Sequence, residues 1–86
     1  MPEISRFYGI VITLYFNDHN PPHFHVRYAE HLAEVDMQTL EIISGYLPKR
    51  AYALVVEWAT EHREELMKNW NLAQNQENLN KIKPLT

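Results

Sequence analysis

The chain has 86 residues, a formal net charge of −3, a pI near 5.9 and no cysteine, so it is expected to form a single domain with a small core, and disulfide frameworks and thiolate zinc sites are excluded. An acidic balance also excludes a protein that grips nucleic acid through a broad basic surface, leaving only a local patch, for which Arg6, Arg27, Lys49 and Arg50 are the candidates. No apolar run approaches the roughly 20 residues of a membrane span and the first residues lack a signal-peptide pattern, so the expectation is a soluble cytoplasmic protein.

From Phe7 to Phe16 the even positions Tyr8, Ile10, Ile12, Leu14 and Phe16 are all apolar, which predicts one long strand with a buried face. Asn17 to Pro22 carries turn chemistry, since Pro21 and Pro22 lack N–H donors and Asn and Asp bond locally to backbone. His23 to Tyr28 then alternates, with Phe24, Val26 and Tyr28 on one face and His23, His25 and Arg27 on the other. His31 to Met37 alternates likewise. A two-residue turn at Ala29 and Glu30 would set Phe24 against Val35, Val26 against Ala33, His25 against Glu34 and His23 against Asp36, while a slip of two would pair His25 with Asp36. Leu40 to Ser44 is a short fourth strand closed by Gly45.

Pro48 suits the first turn of a helix, and Ala51, Leu54, Val55, Trp58, His62, Leu66 and Trp70 recur at spacings of three and four with no Gly or Pro before about Ala73. The expected fold is α+β in one domain. It has an antiparallel meander of three to four strands in residues 1–45, one long helix over 47–73 packed on one face, and a loosely docked tail over 74–86.

Chemistry concentrates in Asp18-His19-Asn20-Pro21-Pro22-His23-Phe24-His25, because histidine is the side chain whose unperturbed pKa lies near neutrality. His23, His25 and His19 are the candidate proton carriers, with Arg27 and Arg6 to stabilise negative charge, as cleavage of an RNA phosphodiester requires. Asp18, Glu34, Asp36 and His62 are candidate orienting groups, although His62 lies on the apolar stripe, where a histidine is most often a satisfied core residue. No cofactor is expected. A divalent metal at His23 and His25 is a minor reading, since H-x-H is common by chance. In the ordinary structural alternative, His19 and His23 bond backbone carbonyls around the corner and His25 makes a cross-strand pair with an acid.

The opening Pro2-Glu3-Ile4-Ser5-Arg6-Phe7, the Asp18 to His25 block, and Glu57-Trp58-Ala59 with His62 together resemble a family of small bacterial domains of unknown function. Some of its members are described as DhiT-type toxins of two-component toxin–antitoxin modules. The resemblance implies a compact antiparallel sheet with a long helix, a small cognate partner protein and growth inhibition, but no catalytic assignment. Ala29 and Glu30 stand where the family pattern has glycines. The leading expectation is a toxin-like component acting as a histidine-dependent, metal-independent ribonuclease or RNA-binding domain. The alternative is a non-catalytic module that binds a small partner encoded beside it. A homo-oligomer is left open and no membrane association is expected.

Overall fold

A computed structural model describes residues 2–86. Five strands, β1 (Glu3–Phe7), β2 (Ile10–Thr13), β3 (His23–Tyr28), β4 (His31–Asp36) and β5 (Ile42–Gly45), form one antiparallel sheet in chain order. Two helices follow, α1 (Lys49–Glu61) and α2 (Arg63–Gln74). The α+β class and the antiparallel meander agree with the pattern in the sequence, while the strand and helix counts need correction.

The expected strand from Phe7 to Phe16 is broken by a hairpin. Tyr8 and Gly9 both take positive φ (51° and 81°), the two-residue turn that matches strand twist, and it folds β1 back on β2 with Phe7 opposite Ile10. The third and fourth strands pair in the first of the two expected registers: His23 faces Asp36, Phe24 faces Val35, His25 faces Glu34 and Val26 faces Ala33. Ala29 closes their two-residue turn at φ 54°, a left-handed conformation that glycine would adopt without strain.

One sheet face is the core. Ile4, Phe7, Ile10, Ile12, Phe24, Val26, Ala33 and Val35 are buried there, and Trp58 lies on them with its ring 5.4 Å from Phe7 and 6.0 Å from Phe24. Fully burying an aromatic or branched side chain contributes about 1.5–3 kcal/mol, so this layer dominates stability.

The single long helix expected over 47–73 is two helices. His62 departs from helical geometry (φ −130°, ψ 29°), ending α1 and opening α2. Its Nδ1 lies 2.6 Å from Glu65 Oε1, and Glu64 and Glu65 set negative charge in the first turn of α2, where the helix dipole favours it. The bend lets Leu66, Asn69, Trp70 and Ala73 remain buried. Beyond α2, residues 75–86 carry no helix or strand, but the segment expected to be loosely held is anchored at three places. Ile82 N–H donates to Ile4 O at 2.8 Å, Trp58 Nε1–H donates to Lys83 O at 2.9 Å, and the Asn69 side chain both donates to and accepts from the Asn80 backbone at 2.9 Å. No helix among the described residues is long and apolar enough to cross a membrane.

Candidate functional site

The sheet face opposite the helices carries the alternate residues of each strand. Arg6, Val11, Arg27 and Leu32 form one cross-strand row, and Thr13, His25, Glu34 and Ser44 form the next. A cleft of about 360 Å³ opens over these rows, lined by Val11, Thr13, Tyr15, His25, Arg27, Leu32 and Glu34 among others.

At the end of the second row the loop after β2 brings Asp18 back over the start of β3. Asn17 N–H donates to Ala73 O at 3.4 Å and Gln74 Nε2 donates to Asp18 O at 3.0 Å, so the C-terminal end of α2 holds the loop in place. Asp18 Oδ2 then sits 3.0 Å from Nε2 of His23 and 3.0 Å from Nε2 of His25. Its other oxygen accepts the His19 backbone N–H at 2.9 Å. Burial pushes the Asp18 carboxyl up, but the hydrogen bond with His25, the His19 N–H and the charge of the two imidazoles outweigh it and hold the group below its ordinary value.

The two histidines differ in access. His23 is buried, with its ring 5.5 Å from Trp70, and its Nδ1 lies 2.7 Å from Pro21 O. A carbonyl oxygen only accepts, so Nδ1 carries the proton and a neutral ring turns the lone pair of Nε2 toward the Asp18 carboxylate. Glu34 Oε1 lies 3.6 Å from the same nitrogen. Two lone-pair-bearing groups at 3.0 Å repel unless positive charge lies between them, so Nε2 of His23 and Oδ2 of Asp18 mark a point that attracts positive charge. His25 is half-buried on the cleft wall, with Tyr15 edge-on at 4.2 Å. When Nε2 donates to Asp18, its Nδ1 is left unprotonated.

The structure therefore brings together His23, His25 and Asp18, with Glu34 beside them and Arg27 two residues along the same strand face. It does not bring in the other candidates. The His19 side chain is exposed, and that residue meets the cluster through its backbone N–H alone. Arg6 is held in a two-point pair with Glu3 at 2.8 and 3.0 Å, which raises its pKa further, and it stands two strands from β3. Asp36 faces His23 in register, yet its Oδ1 accepts the N–H groups of Gln38 and Thr39 at 2.7 and 3.0 Å, building the turn after β4 instead of orienting an imidazole. His62 belongs to the helix corner, paired with Glu65 and 5.6 Å from the Trp58 ring. Tyr15, Trp70 and Gln74 shape the site without having been singled out. Tyr15 lies on the odd, open side of its run, a signal that was available, whereas the roles of Trp70 and Gln74 depend on how helix and loop meet.

The model of the family described as a domain of unknown function, DUF4160, matches residues 9–71. The chain belongs to this family. The DUF4160 match includes Asp18, His23, His25, Arg27 and Glu34 and leaves out β1 and the anchored C-terminal segment. No curated protein and no solved structure matches the chain.

Proposed function

We propose that the chain is the toxin-like component of a bacterial toxin–antitoxin pair and that it cleaves RNA on the open face of its sheet. The observation that carries the chemistry is His25: it lines the cleft with Nε2 fixed by Asp18, and Arg27 lies two residues away on the same face. In this reading Nδ1 of His25 takes the proton of a ribose 2′-hydroxyl as that oxygen attacks phosphorus. Asp18 stabilises the imidazolium that forms, and Arg27 offsets the charge gathering on the phosphoryl oxygens. The P–O5′ bond breaks, the leaving oxygen takes a proton from solvent water while the His25 imidazolium returns its own to solvent, and the product ends in a 2′,3′-cyclic phosphate. Tyr15 offers an aromatic surface to a base. The toxin role itself is supported by the resemblance carried by the His-Asn-Pro-Pro-His-Phe-His block.

The test incubates purified chain with RNA and follows cyclic-phosphate ends. His25→Ala is expected to lower the rate by about 100-fold or more while the chain stays folded. Equal growth arrest on induction of wild type and His25→Ala, or no cleavage by either, would reject the assignment.

A second reading, a non-catalytic module that binds a small partner, is favoured by a separate feature. Leu32 on β4, Ile43 on β5 and Tyr46 just beyond it are each exposed, Tyr46 N–H donates to Leu32 O at 3.1 Å, and β5 is an edge strand of the sheet. A stable complex with the product of the adjacent gene, lost in Leu32→Glu and accompanied by no RNA turnover, would select this reading over the first.

A further inference from the structure

We propose that Asp18, His23 and His25 form a binding site for a divalent transition-metal ion of the zinc class. One ligand atom from each residue lies within 4.8 Å of the other two, and Asp18 Oδ2 is 3.0 Å from each imidazole Nε2. Around a tetrahedral zinc ion with bonds of about 2.0–2.2 Å, neighbouring donor atoms sit about 3.3–3.6 Å apart, so each ring has only to draw back from the carboxylate by a few tenths of an ångström to share a cation with it.

The groups around these donors are arranged as the outer partners of metal ligands are. The Pro21 carbonyl fixes the proton of His23 on Nδ1 and so leaves Nε2 as the donor nitrogen. The His19 N–H occupies Oδ1 of Asp18, and Oδ2 binds a cation once that cation takes the place of the His25 Nε2 proton it now accepts. A cation at this point also resolves the repulsion between the His23 lone pair and the carboxylate. Glu34 Oε1, 3.6 Å from His23 Nε2, stands on the side that faces the cleft, where a fourth ligand would enter. Two imidazoles with one carboxylate suit zinc, cobalt(II) or iron(II), whereas magnesium and calcium prefer all-oxygen sites. Three protein ligands and an open position describe a reactive centre more closely than a structural one.

This inference goes beyond the RNA-cleaving reading and does not depend on it. A cation bound at Nε2 leaves the proton of His25 on Nδ1, the atom that the RNA-cleaving reading uses as base, so the metal-loaded chain is expected to be silent in a cleavage assay that relies on that atom.

The experiment uses the full chain without a histidine tag, stripped with chelator, and titrated with zinc by calorimetry with elemental analysis after dialysis. Cobalt(II) serves as a visible-absorption probe and magnesium as the control. One equivalent of zinc is expected, with a cobalt spectrum, no magnesium binding and a rise in thermal midpoint. His25→Gln and Asp18→Asn, each checked for folding by circular dichroism, should weaken zinc by about 100-fold or more. His25 is partly exposed, so its variant tests the site even where a His23 variant fails to fold. Metal content far below one equivalent in the folded wild type would overturn the proposal. So would stoichiometric zinc that neither variant weakens. Because no RNA is present, either result is separable from failure of the cleavage assay.

Discussion

Asp18 sets a single carboxylate oxygen 3.0 Å from Nε2 of both His23 and His25, across a loop that α2 pins from behind. The carboxyl is stabilised in its charged form, so its folded pKa lies below the unfolded value of about 3.9. A depressed carboxyl adds stability above the unfolded pKa, and the contribution fades as pH falls through the lower folded value. Wild type should therefore exceed Asp18→Asn in urea midpoint at pH 6, and the gap should narrow progressively as pH falls below about 4. A gap independent of pH would mean that Asp18 acts only through packing.

The two imidazoles should separate structure from chemistry. His23 is buried against Trp70 with both nitrogens engaged, so His23→Ala removes a bonded polar group and leaves a void, at a cost of about 2–4 kcal/mol. His25 is half-exposed at the cleft, and His25→Ala should cost about 1 kcal/mol or less. Chemical denaturation of both variants measures the difference directly. Comparable losses would place the two rings in equivalent surroundings and weaken the assignment of His25 as the group facing substrate.

How far the sequence reveals this arrangement depends on the range of the interaction. Alternation excludes a slip of one residue between β3 and β4, which would turn Phe24, Val26, Ala33 and Val35 away from the core together, but it leaves a slip of two open, and the two-residue turn at Ala29 and Glu30 decides between them. The β1–β2 hairpin was hidden, since Tyr8 continues the apolar even positions and only Gly9 marks a turn. The bend at His62 carries no Gly or Pro. Its trace is the pair of acids at Glu64 and Glu65, which suit a helix start but also fit an uninterrupted exposed face. In the site, the shared sheet face of His23 and His25 follows from period-two geometry. Asp18 reaches them only because Ala73 and Gln74 tie down its loop, a contact spanning more than fifty residues that no local pattern encodes.

Turn chemistry gives a prediction of opposite sign. Ala29 holds φ 54° at the first central position of the β3–β4 turn, where a Cβ costs about 1–2 kcal/mol and glycine costs nothing sterically. Part of that gain is cancelled by the extra freedom glycine gives the unfolded chain. Ala29→Gly is expected to stabilise the protein by about 0.5–1 kcal/mol, raising the thermal midpoint with little change in its sheet signal. A loss of stability would show that the turn gains more from the alanine methyl than it loses to strain.

Gly45 reverses the argument at the end of β5. Its φ is +84°, and a Cβ there would meet Leu32 O at 2.1 Å and Ala33 Cα at 2.8 Å, both backbone atoms of the neighbouring strand that cannot rotate away. Gly45→Ala must therefore separate β5 from β4 locally, at a cost of about 3 kcal/mol. The pairing of Ala33 with Gly45 and the hydrogen bond from Tyr46 N–H to Leu32 O are the contacts that should open first. Hydrogen exchange should then show faster exchange at Tyr46, while the β2–β3 amides remain protected relative to global unfolding. Since β5 forms the outer wall of the cleft through Ser44 and Gly45, the same variant should weaken any ligand held there without touching Asp18, His23 or His25. Unchanged protection at Tyr46 would mean that the strand accommodates the methyl group by a shift this close backbone approach does not allow.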